Sequence, residues 1–209
     1  MQREDLIKLF LSFKQEDFWK NIDLHIHTNE SDGKLSPEEI IEYVEKNNLK
    51  WFSITDHNCT KAYKNENIKN HPKIINGVEF DCCYKGVLVH ILGYGIDTNN
   101  EGIKSLLAKN KAEATHNLCR IFHLRNVQEV IEKIHKAGGL AILAHPCCYY
   151  AFSLDKFIKE LKDFGIDGIE AYYEYGRLRK YFKFHFEKTV HKIAEKYNLI
   201  KTGGTDKHN

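Results

Sequence analysis

Several features that would fix the class of this chain at once are missing from it. No apolar run approaches the roughly 18 residues of a membrane-spanning helix, which excludes an integral membrane protein of the helical kind. Neither sign of charge is in excess: 31 Lys and Arg stand against 29 Asp and Glu, a net charge of +2. No global basic field therefore points to nucleic acid. The six cysteines, Cys59, Cys82, Cys83, Cys119, Cys147 and Cys148, contain no C-x-x-C pair, so a zinc-finger reading fails on spacing. The N-terminal MQREDLIKLFLSFKQEDFWK alternates charged and apolar residues at helical spacing and lacks the apolar core of a secretion signal. Residues 1–20 therefore read as an amphipathic helix packed on the domain, and the thiols as reduced and buried, in a cytoplasmic protein. No repeat or low-complexity linker divides the 209 residues, of which 42% are hydrophobic. A single domain over 1–209 is expected, with no membrane contact and no obligate protein partner.

Apolar runs alternate with helical patterns. Residues 21–27 form a short strand, with His25 and His27 on one side of it. Ser36-Pro37-Glu38-Glu39 opens a helix: Ser36 is the N-cap, Pro37 the first helical residue and Glu39 the partner in a capping box. Residues 51–55 are a second strand, 73–80 a third ending near Glu79, and 86–93 a fourth reached through a turn at Tyr84-Lys85-Gly86. A polar helical stretch is expected over 103–122, and a clearer helix over 127–137, closed by Gly138-Gly139. Strands follow at 140–143, 168–172 and 199–202, with helices at 154–164 and 178–197 between them. Seven strands with intervening helices predict an α/β fold of the barrel kind.

Strand after strand ends in an imidazole or a carboxylate. His25, His27 and Asp32 come first, then Asp56 and His57, then Glu79, His90 and His145, and finally Asp206 and His208. Buried groups of this kind are costly unless paired or coordinated. One such strand end is ordinary; repetition points to a shared cation. Imidazole with carboxylate suits zinc, manganese or iron. The ligands are too many for one tetrahedral ion and would serve two or three ions sharing a bridging carboxylate. Such a cluster holds a bridging hydroxide at neutral pH and neutralises phosphate, so phosphate-ester hydrolysis is the natural chemistry. Amide or amidine hydrolysis is the chemical competitor. Direct metal ligation by Cys82, close to Glu79, or by Cys147, close to His145, is the minor alternative.

These residues carry a resemblance. The segments DLHIHTNESDGKLSPEEII, FSITDHN, GVEF, VHILGYGI, AGGLAILAHP, DGIEAYYE and GGTDKHN are similar, in order and over nearly the whole chain, to the polymerase-and-histidinol-phosphatase (PHP) family of metal-dependent phosphoesterases. The resemblance implies a distorted (β/α)7 TIM-like barrel and a trinuclear site of divalent ions (Mn, Zn or Fe). His25, His27 and Asp206 would hold one ion, and Glu79 would bridge it to a second. His90 and His145 would complete the second ion; Asp32, His57 and His208 would hold the third. Asp56 would orient a ligand, and Asp56 or His208 would relay protons. Asp32 is similar to the branch that acts on nucleotides and short oligonucleotides, where histidinol phosphatases more often carry histidine. That branch has a helical insertion, and here 97–127 is short enough for only a small cap. The implied substrate is a small phosphorylated molecule, a nucleotide or the end of a short nucleic acid. Histidinol phosphate is the alternative substrate, and a non-catalytic metal-stabilised module the alternative role. Arg120, Arg125, Arg177 and Arg179 are candidates to clamp phosphate, with Arg177 favoured for its place after the sixth strand. Tyr172, Tyr173 and Tyr175 are candidates to stack on a base. His116, His123, His135, His185 and His191 lie in helical stretches and read as surface or packing residues.

Overall fold

The computed structural model describes residues 1–18, 20–173 and 184–209. Strand β1 (Ile22–Ile26) pairs in parallel with β2 (Trp51–Ile54), Ile22 facing Trp51 and Ile26 facing Ile54. Helices α1 (Arg3–Ser12) and α2 (Gln15–Phe18) precede this pair, and α3 (Pro37–Lys46) connects its strands. The capping box forms as expected: Glu39 N donates to Ser36 Oγ at 3.2 Å, and Ser36 N donates to Glu39 Oε2 at 2.7 Å. Ile40 and Val44, four residues apart, then turn to the core.

The second sheet contains β3 (Gly77–Tyr84), β4 (Val87–Tyr94), β5 (Arg125–Asn126), β6 (Leu140–Leu143), β7 (Gly168–Tyr173) and β8 (Ile200–Gly204). Its order is β5-β3-β4-β6-β7-β8. β6, β7 and β8 run parallel, whereas β4 is antiparallel to both β3 and β6. The described strands thus give an α/β architecture in two sheets rather than one continuous barrel ladder. The first sheet meets the second on both of its sides: Ile26 bridges Lys207, just past the edge strand β8, and His57, just past β2, bridges Glu79 on β3.

Three boundaries differ from those expected. The third strand begins at Gly77 rather than 73 and runs on to Tyr84, which puts Glu79 near its start. The hairpin decides this, because every residue from Gly77 to Tyr84 finds an antiparallel partner in β4. Its two-residue turn, Lys85-Gly86, has φ of 50° and 77°, the left-handed pair that matches strand twist. The polar stretch 103–122 is not one helix. It is α5 (Glu101–Lys104), α6 (Ala112–Thr115) and α7 (Asn117–Phe122), following the short α4 (Glu66–Lys69). Glu113 turns back to accept from Lys109 N at 3.0 Å and Asn110 Nδ2 at 2.8 Å, and Ala108 N donates to Asn58 O at 2.8 Å. These bonds hold the chain against the sheet where a continuous helix would leave it.

Helices α8 (Val127–Lys136) and α9 (Leu154–Asp163) match their expected spans. The expected helix over 178–197 begins outside the described residues; its described part is α10 (Glu187–Lys196). All three lay apolar faces on the second sheet, with Val130, Ile134, Ile158, Leu161, Val190 and Ile193 buried. The amphipathic N-terminal helix packs where β4 ends. Leu6 and Phe10 are buried, and the Phe10 ring meets Tyr94 edge-on at 5.4 Å. Each such side chain contributes roughly 1.5–3 kcal/mol by leaving water. Arg3 ties the same helix to Asp167 at 2.5 Å and to Gly139 O at 3.2 Å. No helix among the described residues is long and apolar enough to cross a membrane. None of the six cysteines forms a disulfide, and Cys59, Cys82 and Cys147 are buried.

Candidate metal centre

Period-2 geometry turns His25 and His27 to one side of β1, and their Nε2 atoms lie 3.1 Å apart. β2 runs on into Asp56 and His57, β3 carries Glu79, and β4 carries His90. β6 leads into His145, and β8 into Asp206 and His208. Three non-glycine residues here have positive φ: Asn58 (51°), His145 (25°) and Asp206 (50°). Such conformations cost about 1–3 kcal/mol each and collect at functional sites. At these points the chain leaves its strand and turns into the site.

Glu79 lies at the centre. Its Oε2 is 3.2 Å from His27 Nε2 and 3.3 Å from both His25 Nε2 and His57 Nδ1. Its Oε1 is 2.8 Å from His90 Nδ1 and 3.3 Å from His145 Nε2. Asp206 Oδ1 sits 3.1 Å from His27 Nε2, and Asp32 Oδ1 sits 3.3 Å from His208 Nε2. Donor atoms converge in three groups: His25, His27, Glu79 and Asp206; His27, Asp32, His57 and His208; and His57, Glu79 and His90. Within each group the ligand atoms lie within 4.8 Å of one another. No cysteine enters these groups among the described residues. The site opens to a cavity of about 360 Å³, lined by Asp32, His57, Glu79, His90, His145, Asp206 and His208 and, toward its mouth, by Leu88, Ile121 and Leu124.

The electrostatics are those of a cation-seeking cluster. Burial works against charge on Glu79, yet the imidazoles of His57, His90 and His25 hold its carboxyl well below the usual range. Burial likewise opposes a proton on His27, but Asp206 and Glu79 raise that imidazole to about 10. His25 is raised well above its ordinary value, with Glu170, Glu79 and Asp206 overcoming burial. His57 goes the other way, to about 4, through burial and the neighbouring Arg120. Two buried atoms, Glu79 Oε2 and His27 Nδ1, have no hydrogen-bond partner. Atoms this deep are rarely left so. Imidazole nitrogens and carboxylate oxygens converging around such an orphan fit divalent metal ions.

A model of the PHP domain family matches residues 23–137, more than half of the chain. The chain belongs to the PHP domain family. It is 24% identical over 215 residues to a 5'-3' exoribonuclease of Haemophilus influenzae, an alignment covering 72% of this chain and 78% of the relative. It is 36% identical over 80 residues to a 3',5'-nucleoside bisphosphate phosphatase of Chromobacterium violaceum, covering 37% of this chain but only 28% of that protein. In fold it is similar to a candidate metal-dependent phosphoesterase of Bifidobacterium adolescentis. The TM-score is 0.71 at 19% identity, over 91% of this chain and 88% of the other.

Around the imidazoles of this PHP domain stand groups that sequence reasoning missed. Glu170, fully buried on β7, meets His25 Nδ1 at 2.9 Å with Oε1 and accepts from His145 N at 2.8 Å with Oε2. Tyr173, expected from the sequence to stack on a base, is instead buried and donates to Asp206 Oδ2 at 2.7 Å. Asp23 accepts from Thr205 N at 2.9 Å and Thr205 Oγ1 at 2.7 Å, seating the chain just before Asp206. Asp81 lies 3.2 Å from both His57 Nδ1 and His90 Nε2. The available signals were a lone acid inside the apolar GIEAYY run for Glu170, and for Asp81 its place two residues after Glu79, on the same face of a strand.

Other candidates fall elsewhere. Asp56 is buried behind the turn that bears Asp32: it accepts from Thr28 N and Thr28 Oγ1, both at 2.7 Å, and from Ser31 Oγ at 2.6 Å. Its hydrogen bonds thus orient the turn rather than an imidazole. Arg177, Arg179 and Tyr175 lie outside the described residues. Arg125 is spent on Leu106 O and His123 O, and Tyr172 stacks on Phe18 at 5.2 Å. Among the described residues, Arg120 is the arginine that lines the cavity. Among the helical histidines, His135 pairs with Asp167 at 2.8 Å and His123 with Cys119 O at 2.8 Å, both outside the three donor groups.

Proposed function

We propose that this PHP domain is a metal-dependent hydrolase of phosphomonoesters that acts on nucleotides or oligonucleotide ends. The observation that carries the reading is Glu79, whose two oxygens stand among five imidazoles from four separate chain segments. His25, His27, Glu79 and Asp206 would hold one divalent ion. Glu79 with His90 and His145 would hold a second, and Asp32, His57 and His208 a third, from manganese, zinc or iron. Bound there, the ions would supply Lewis acidity toward phosphorus and lower the pKa of coordinated water.

The chain's own groups divide the remaining work. Glu170 holds the Nδ1 proton of His25 and leaves Nε2 as the donor to metal. Arg120 places a fixed positive charge at the cavity, where a phosphate would sit. His208, partly exposed and bonded through Nδ1 to Asp206 O at 2.8 Å, is the group with access to solvent for proton exchange. Asp56 supports the turn that carries Asp32, and Arg177 remains a second candidate phosphate contact. The apolar mouth formed by Leu88, Ile121 and Leu124 favours a nucleobase over the cationic tail of histidinol phosphate.

The edge bridges Ile26 to Lys207 and His57 to Glu79 support reading the two sheets as a distorted (β/α)7 barrel. The domain would span 1–209, with residues 97–127 as a small cap. The test is metal content by elemental analysis, run beside a panel of p-nitrophenyl phosphate, nucleotides, short oligonucleotides and histidinol phosphate. Bound divalent metal with turnover of nucleotides is the expected result. A metal-free protein with no phosphatase activity after loading would overturn the reading, and preferential turnover of histidinol phosphate would overturn the substrate class.

A further inference from the structure

Among the described residues, Asp81 is the one carboxylate lining the cavity that the metal assignment leaves unused, and it is 2% exposed. It lies on β3 directly opposite His90 on β4, so the two side chains share a face of the hairpin. Its Oδ1 is 3.2 Å from His90 Nε2 and 3.2 Å from His57 Nδ1. The same carboxylate takes Arg120 in the two-pronged manner, Nε to Oδ2 at 2.9 Å and NH2 to Oδ1 at 2.7 Å. Asn58 donates its side-chain amide to Oδ2 and accepts from Asp81 N at 3.0 Å. With its lone pairs occupied by His90, Arg120 and Asn58, while His57 Nδ1 itself accepts from Arg120 at 2.7 Å, Asp81 is poorly placed to ligate a metal and well placed to hold others still.

Its partners come from different parts of the fold. His90 belongs to the rigid hairpin. Arg120 belongs to α7, in the segment expected to cap the cavity, and reaches Asp32 through NH1 at 2.8 Å. Because His90 Nε2 faces Asp81, its Nδ1 is the nitrogen turned to Glu79 Oε1, at 2.8 Å. A carboxylate behind a histidine in this way fixes the tautomer and ring orientation.

We propose that Asp81 is a positioning residue that sets two things at once: the ring of His90 toward the metal centre, and the guanidinium of Arg120 over the cavity. The inference rests on the phosphoesterase reading above. Asp81 acts through His90 and Arg120 and does not touch the reacting atoms.

The test compares wild type, Asp81→Asn, Arg120→Met and the double variant, by metal titration, elemental analysis and steady-state kinetics on a nucleotide. Asp81→Asn is expected to bind metal more weakly by about tenfold, the cost of losing such an outer partner, and also to show a raised KM. Arg120→Met should raise KM by about tenfold; because Arg120 also donates to Asp32 at 2.8 Å and to His57 Nδ1 at 2.7 Å, loss of metal should fall on the ion those two would hold and spare the one on His90. The double variant should resemble Arg120→Met alone in KM, because Asp81 reaches substrate only through Arg120. Independent, multiplicative losses in KM, or wild-type metal affinity in Asp81→Asn, would overturn the proposal. Should Asp81→Asn fail to fold, Asp81→Glu replaces it: the charge is kept, the displaced carboxylate turns His90, and metal binding still weakens; unchanged binding counts against. A wild-type chain that neither binds metal nor hydrolyses the nucleotide removes the underlying reading; a wild type that does both beside unaffected variants removes only this one.

Discussion

The Glu170 carboxylate faces His25 Nδ1 at 2.9 Å with one oxygen and accepts the backbone N–H of His145 at 2.8 Å with the other. One buried acid thus fixes the tautomer of a histidine on β1 and steadies the strained turn, φ 25°, that presents a histidine after β6. Glutamine at 170 has a single acceptor oxygen and can serve only one of the two. Glu170→Gln is therefore expected to weaken metal binding by roughly 10- to 100-fold, as read by isothermal titration with manganese or zinc. Unchanged affinity would show that His25 is oriented by packing alone.

Glu79→Gln removes the charge shared by two of the three donor groups. Metal content and phosphatase activity should fall together, measured by elemental analysis and by turnover of p-nitrophenyl phosphate. Full turnover by this variant would contradict a centre built on Glu79.

Metal uptake should depend on pH with a definite sign. Asp206 and Glu79 overcome burial and hold His27 protonated up to about pH 10, so at neutral pH a metal must displace that proton. Affinity is expected to rise with pH across about 6 to 9, with protons released on binding. Calorimetry in buffers of different ionisation enthalpy measures the release, and a pH-independent affinity with none released would count against the ligand role of His27.

Gly204 is held to a missing side chain by its neighbour. A Cβ there would stand 2.4 Å from His25 Cβ and 2.5 Å from His25 N, and both of those are fixed by β1. Gly204→Ala should cost about 1–3 kcal/mol through overpacking and shift His25, lowering the melting temperature and metal affinity together. A wild-type melting curve would refute the close approach.

Ser36→Ala provides a control remote from the donor groups. Losing the cap of α3 should cost about 1 kcal/mol, visible in thermal or urea unfolding, with metal content and activity per folded molecule unchanged.

Much of this was legible in residue order. The capping box at Ser36 and Glu39, the Lys85-Gly86 turn and the spans of α8 and α9 follow from local chemistry, which the sequence states directly. The histidines and carboxylates were legible too, because polar groups at the ends of apolar runs need partners. What escaped were groups whose meaning is relational. Glu170 and Asp81 are single acids inside strands, with nothing local to say which imidazole lies across from each. Arg120 could not be told from Arg125, because both lie in the polar segment 97–127, whose break into three short helices and a two-residue strand depends on contacts between segments, among them Ala108 with Asn58.

Local spacing and polarity, then, determined which residues could serve a metal centre and which runs would be strand or helix. The folded chain decided which oxygen faces which nitrogen, that β4 runs against its neighbours, and that Asp81 and Glu170 stand behind the imidazoles. The reason is physical: propensity and capping act over a few residues, whereas hydrogen-bond partners across a core are chosen by packing between segments as distant as β1 and β7.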